Sequence, residues 1–150
     1  MEYENLLIGL LGCWLATAVS AAEAEWLTDL PTAQARAKAE KKLVLMDFTG
    51  SDWCPPCKAL HKNVFSATEF KEFAAKNLVL VEVDFPNRKE QSAELKKANR
   101  ELQRKHNIEA FPTVIVFDAS GKQVLRQEGY PPNTNAKDYV TELAKLKKSS

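Results

Sequence analysis

The chain has 150 residues, 45% of them hydrophobic, which suits one domain with a sizeable core and leaves little room for a second. Lys and Arg number 21 against 20 Asp and Glu, and the densest basic cluster, Lys145-Leu146-Lys147-Lys148, is what the C-terminal end of a helix ordinarily carries. This balance argues against a nucleic-acid binder, and three cysteines are too few for a disulfide-stapled scaffold.

Leu6 to Val19 is almost wholly apolar and runs into Ser20-Ala21-Ala22-Glu23-Ala24. An apolar core ending in small residues is the pattern of a secretory signal peptide, here residues 1–22, with cleavage after Ala21, Ala22 or Ala24. No Lys or Arg precedes the run, only Glu2 and Glu4. Two other readings stand beside it. Leu10-Leu11-Gly12-Cys13 resembles a lipoprotein box in which Cys13 would be lipidated, and an uncleaved anchor would use the same run, which is short against the ~20 residues of a spanning helix. Membrane contact is expected only under those two. Export places the protein in the periplasm or outside the cell, where disulfides persist.

Residues 26–147 read as the folded domain. Pro31 to Lys42 is rich in Ala, Lys and Glu with Pro in the first turn, and predicts a helix. Leu43 to Phe48 is an apolar run of strand length, followed by a turn at Thr49-Gly50-Ser51-Asp52 and a helix from Pro55 to about Asn63. Ser66-Ala67-Thr68-Glu69 reads as a capping box, with Phe65 and Phe70 as its hydrophobic staple, opening a helix to about Lys76 that Asn77 closes. Leu78 to Val83 is a second buried strand. Asn87 to His106 reads as one long helix with Leu95, Ala98 and Leu102 on its inner face and Asn107 at its C-terminus. Thr113 to Phe117 and Val124 to Glu128 form an antiparallel hairpin around Ser120-Gly121, and Gly129 to Asn133 leads into a last helix from about Asn135 to Lys147. A βαβ half followed by a ββα half predicts an α/β fold, a mixed four-stranded sheet flanked by helices with one extra helix at the N-terminus.

The order gives Trp53-Cys54-Pro55-Pro56-Cys57 its chemistry. Cys54 falls after a strand and turn at the start of a helix, where unpaired N–H groups and the helix dipole favour an anion. The thiolate is the nucleophile of disulfide exchange. Cys57 lies one turn further on, within reach of Cys54, so a mixed disulfide on one cysteine can be resolved by the other. Pro55 and Pro56 suit the first turn and stiffen the span between the sulfurs.

Trp53-Cys54-Pro55-Pro56-Cys57-Lys58, the preceding strand ending Met46-Asp47-Phe48, and Phe111-Pro112-Thr113 together resemble the thioredoxin superfamily. Within it they look most like exported thioredoxin-like proteins and the soluble domains of periplasmic thiol:disulfide interchange proteins. The likeness runs from about Trp26 to Leu146. It implies a thioredoxin fold and a thiol–disulfide oxidoreductase that works without a cofactor, more as reductase or isomerase than as oxidase. Its partners would be protein thiols and disulfides together with an upstream redox protein. It makes Cys54 the exposed attacking cysteine, Cys57 the shielded resolving one, and Asp47 the acceptor of the Cys57 proton. Trp53, Pro55 and Pro56 would flank the bound substrate. Pro112 would be a cis proline facing the disulfide, with Phe111 presenting backbone groups to a substrate peptide. The chain departs from the pattern in three places. The connection after Asp47 is one residue longer, Pro-Pro stands between the cysteines, and Leu78 to Asp84 offers Glu82 where a Lys commonly partners the buried Asp.

Plainer explanations compete. A structural disulfide closing so small a loop would stabilise little. Zinc needs two more ligands, and His61 and His106 are 45 residues apart. No metal is expected. The rival in another functional class is a thioredoxin-fold binding module or chaperone without redox turnover.

Overall fold

The computed structural model describes residues 24–150; the leader expected over residues 1–22, with its readings at Cys13, lies outside them. The elements run β1 (Trp26–Leu27), α1 (Leu30–Glu40), β2 (Leu43–Thr49), α2 (Pro55–Leu60), α3 (Thr68–Asn77), β3 (Leu78–Asp84), α4 (Ala93–Lys105), β4 (Thr113–Phe117), β5 (Gln123–Glu128) and α5 (Ala136–Lys148). Among the described residues no helix is long and apolar enough to cross a membrane.

The sheet has five strands, not four, in the order β1-β3-β2-β4-β5. The additional strand is the two-residue β1, which pairs in parallel with β3 through Trp26 opposite Leu80 and Leu27 opposite Val81. Two residues show no alternation to read; what holds them is tertiary, for the Trp26 ring lies 5.1 Å from that of Phe65. β2 runs parallel to β3 and antiparallel to β4, and β5 closes the other edge antiparallel to β4.

Successive strand side chains point to opposite faces, so each strand serves two cores. Leu43, Leu45, Leu78, Leu80, Val114 and Val116 meet Leu60, Phe65, Phe70, Tyr139 and Leu143 on one side. Val44, Met46, Phe48, Val79, Val81 and Ile115 meet Leu30, Ala33 and Ala37 on the other. That double burial is why β2 and β3 read as continuous apolar runs rather than alternating ones.

Three helices differ from expectation. α2 does not stop near Asn63 but passes into a π-helical turn at His61–Phe65, which carries Phe65 into the core. The Ser66 capping box does not form. The residue before α3 is Ala67, which makes no side-chain cap, and the Ser66 hydroxyl bonds His61 Nδ1 instead at 3.2 Å. The staple survives without it, the Phe65 and Phe70 rings lying 4.9 Å apart. α4 begins six residues later than Asn87, at Ala93, where Ser92 accepts the Leu95 N–H and caps it. Ala98 is exposed, and the buried position on that face is Asn99, whose side chain donates to the Asp84 carbonyl at 2.9 Å.

Candidate active site

The site begins where β2 ends. Gly50 O accepts from Trp53 N at 3.2 Å and from Cys54 N at 2.9 Å, a tight turn that delivers Cys54 to the N-cap of α2 in extended geometry. Gly50 is required here by space rather than by backbone angle. A Cβ built on it would sit 2.6 Å from Trp53 Cζ2, so the indole covers the glycine. Trp53 Nε1 donates to Phe85 O at 2.7 Å, which fixes the ring while leaving it 40% exposed.

Cys54 and Cys57 form a disulfide with their Cα atoms 5.3 Å apart. Both residues are buried, Cys54 at 3% and Cys57 at 4% exposure, so exposure does not separate an open attacker from a shielded resolver as expected. Their positions differ: Cys54 sits outside the helix next to the exposed Trp53, whereas Cys57 is the third helical residue and lines a cavity beneath α2. Pro55 and Pro56 occupy the first two helical positions, so neither contributes an N–H there.

Across from the motif, the Phe111–Pro112 peptide bond is cis and Pro112 is buried. Gly129 N donates to Pro112 O at 2.7 Å and Thr113 Oγ1 to Ala110 O at 2.7 Å, and these bonds fix the loop. Phe111 stands 5.9 Å from the Trp53 ring in an edge-on arrangement and 5.4 Å from Phe85. The three rings form one wall of an open cleft whose other wall carries Lys96 and Arg100 of α4. Phe85 has no motif around it and could not be placed at the site from sequence.

Behind Cys57 lies a cavity of about 250 Å³ lined by Asp47, Thr49, Ser51, Lys58, His61, Glu82 and Lys89. Its floor follows from register: Asp47 lies opposite Glu82 and Thr49 opposite Asp84 on parallel strands, all on the face that α2 covers. Asp47 is 6% exposed and its Oδ1 has no hydrogen-bond partner. Burial pushes its carboxyl up to about 8, assisted by the charges of Glu82 and Asp84. Glu82 is raised as well, mainly by burial, while Lys89 and His61 pull it back. Asp84 is taken up structurally, its carboxylate accepting from Ser51 N at 2.9 Å and Ser51 Oγ at 2.5 Å. Glu82 was legible only as the one polar interruption of an apolar strand; that it faces Asp47 is a matter of register.

The two histidines do not converge on the cysteines together: His61 lines the cavity behind Cys57, while His106 packs against Phe48 and Phe117 on the opposite face of the sheet. Among the described residues no group of three His, Cys, Asp or Glu side chains is placed to hold a metal.

The thioredoxin-like domain family matches residues 30–144. A disulfide bond reductase, DsbH of Chlamydia pneumoniae, is 35% identical over 125 residues, covering 83% of this chain and 74% of that protein. The thiol:disulfide interchange protein DsbD of Vibrio cholerae is 31% identical over 143 residues, 89% of this chain but only 22% of its own length. Among solved structures, a DsbH oxidoreductase superposes with a TM-score of 0.77 at 32% identity, covering 99% of this chain and 96% of that one.

Proposed function

The chain belongs to the thioredoxin-like family and is a thiol–disulfide oxidoreductase, and from that premise we propose that it runs in the reducing direction, on protein disulfides outside the cytosol. The observation that carries the direction is the pair of prolines at the first two positions of α2. The amides of a helix start are what stabilise a thiolate there, and a strongly oxidising couple is one whose reduced form is stabilised in this way. With Pro55 and Pro56 in place, Cys57 N–H is the first helical amide left to serve Cys54. The carboxyls of Asp47 and Glu82 behind Cys57 also disfavour a thiolate. Both effects favour the disulfide form of the enzyme, which is the product of a reductase.

The reaction then runs as two exchanges. The Cys54 thiolate attacks one sulfur of the substrate disulfide; a Cys54–substrate bond forms and the other substrate sulfur leaves as thiolate. Cys57 gives its proton to the Asp47 carboxylate and attacks Cys54 Sγ, so that the enzyme disulfide closes and the second substrate sulfur departs. Two electrons pass from enzyme to substrate, and a dithiol protein upstream must restore the pair. Trp53 and Phe111 flank the entering chain, Pro112 forms the opposing wall with Phe111 backbone groups pairing to the peptide, and Pro55 and Pro56 hold the reacting loop. Export rests on the apolar run Leu6 to Val19 and the small residues after it.

The reduction potential of the Cys54–Cys57 couple tests the direction. A value near about −270 mV is expected, and one near about −120 mV would reverse it. Insulin reduction that vanishes in Cys54→Ser, with a mixed disulfide trapped by Cys57→Ser, checks the roles of the two cysteines. The N-terminal mass of the exported protein checks cleavage after Ala21, Ala22 or Ala24.

A further inference from the structure

A proton that reaches Asp47 must be passed on before the site can turn over again. The residue is nearly sealed, its Oδ1 touches no polar partner, and the space it faces is the cavity behind Cys57. Every group around that space is identifiable. Thr49 comes from β2 beside Asp47, Cys57 and Lys58 from α2, His61 from the π-helical turn, Ser51 and Lys89 from loops, and Glu82 from β3. Asp84, also on β3, is held by Ser51, and Tyr139 of α5 has its hydroxyl held up by burial first and by the Asp47 charge after that. Glu82 is the remaining carboxyl. It stands directly opposite Asp47 in the β2–β3 register, is half-buried, and shares the cavity wall with the exposed His61 and Lys89. A half-buried carboxyl that interrupts an apolar run carries a desolvation cost that packing does not repay, and such breaches of the local pattern concentrate at functional sites.

We propose that Glu82 is the outer member of a two-carboxyl proton relay, carrying protons between Asp47 and the solvent at the His61–Lys89 end of the cavity. The inference rests on the reading above in which Asp47 takes the Cys57 proton. In the resolving step the Cys57 S–H bond breaks and the proton passes to an Asp47 oxygen as the thiolate attacks Cys54 Sγ. Asp47 then hands the proton to a Glu82 carboxylate oxygen, and Glu82 releases it to water, leaving both carboxyls as they began. About 250 Å³ of polar-lined space is ample for water molecules to bridge the two carboxyls. Burial and Asp84 raise the proton affinity of Glu82, while Lys89 and His61 at the outer end lower it, so Glu82 gives its proton up toward the solvent and that release draws the transfer from Asp47 forward. Glu82 touches no reacting sulfur in this scheme and acts through Asp47.

Stopped-flow mixing of the reduced full-length protein with 5,5′-dithiobis(2-nitrobenzoate) separates the two exchanges, because attack by Cys54 and resolution by Cys57 each release one coloured thiolate. Glu82→Gln is expected to slow the second phase roughly tenfold, at the low end of general acid–base effects, to move its pH profile, and to leave the first phase alone. Glu82→Asp restores most of the rate, and in the Asp47→Asn background Glu82→Gln adds nothing further. An unchanged circular dichroism spectrum reports that each variant is folded. An unchanged second phase and pH profile in Glu82→Gln, or a slowing that multiplies that of Asp47→Asn, would overturn the relay while leaving Asp47 as acceptor. A second phase indifferent to Asp47→Asn would overturn the acceptor reading itself.

Discussion

Asp47 concentrates the acid–base character of the site in one side chain. It sits in the middle of β2, 6% exposed, with its carboxyl pushed up to about 8 by burial first and by Glu82 and Asp84 after that. A carboxyl whose folded pKa lies above its unfolded value takes up a proton on folding. The stability this contributes is complete below the unfolded pKa of 3.8 and is lost as pH rises through about 8. Within that window each pH unit costs up to about 1.4 kcal/mol, and Glu82, raised in the same direction, adds to the slope. The urea midpoint of the oxidised protein should therefore fall between about pH 5 and about pH 8, and Asp47→Asn should flatten the decline. A decline as steep in Asp47→Asn as in the parent would show that some other group titrates. The motif and the buried Asp were legible in the sequence. The face that Asp47 shares with Glu82 was not, because register joins residues far apart in the chain.

At the scale of the element, the segment before α4 shows a local preference losing to a distant contact. Asn87 to Ser92 is polar and carries helix formers, and by itself extends the helix back to Asn87. Instead the Asp52 carboxylate accepts the amides of Asn87 at 2.9 Å, Arg88 at 2.6 Å and Lys89 at 3.1 Å. Those bonds hold the segment in a loop, keep the Asp52 carboxyl below its usual range, and place Lys89 at the cavity behind Cys57. The turn containing Asp52 thus does two jobs, delivering Cys54 on one side and fixing the Lys89 loop on the other. Asp52→Ala should abolish hydrogen-exchange protection at the amides of Asn87, Arg88 and Lys89 while α4 from Ala93 onward stays protected. Retained protection at those three amides would mean that the loop is held by something else. The Ser66 box failed for a related reason: the π-helical turn draws Ser66 toward His61 before α3 begins. The five-residue Thr113–Phe117 strand and its hairpin partner, by contrast, were readable locally, because turn chemistry and apolar pattern agree there.

For the molecule as a whole, the redox state of the cysteines and the stability of the fold are linked. If folding withholds stabilisation from the Cys54 thiolate, folding must favour the disulfide, and the oxidised protein is then the more stable form. Chemical denaturation of the two forms should show the oxidised protein unfolding at the higher denaturant concentration. The reverse order would make the folded protein an oxidant.

The sequence by itself determined the chemistry and its local frame: two cysteines one helical turn apart after a strand and turn, and apolar runs long enough to build a covered sheet. These are short-range properties, written in spacing, turn residues and periodicity. Only the tertiary structure decided that a two-residue strand widens the sheet, that Asp52 breaks a helix start from 35 residues away, and that Glu82 stands across from Asp47 behind Cys57. Each of those rests on parallel register or on a single long-range contact. Closing a parallel pair brings together residues whose separation in sequence carries no signal, so their meeting becomes visible only once the sheet is formed.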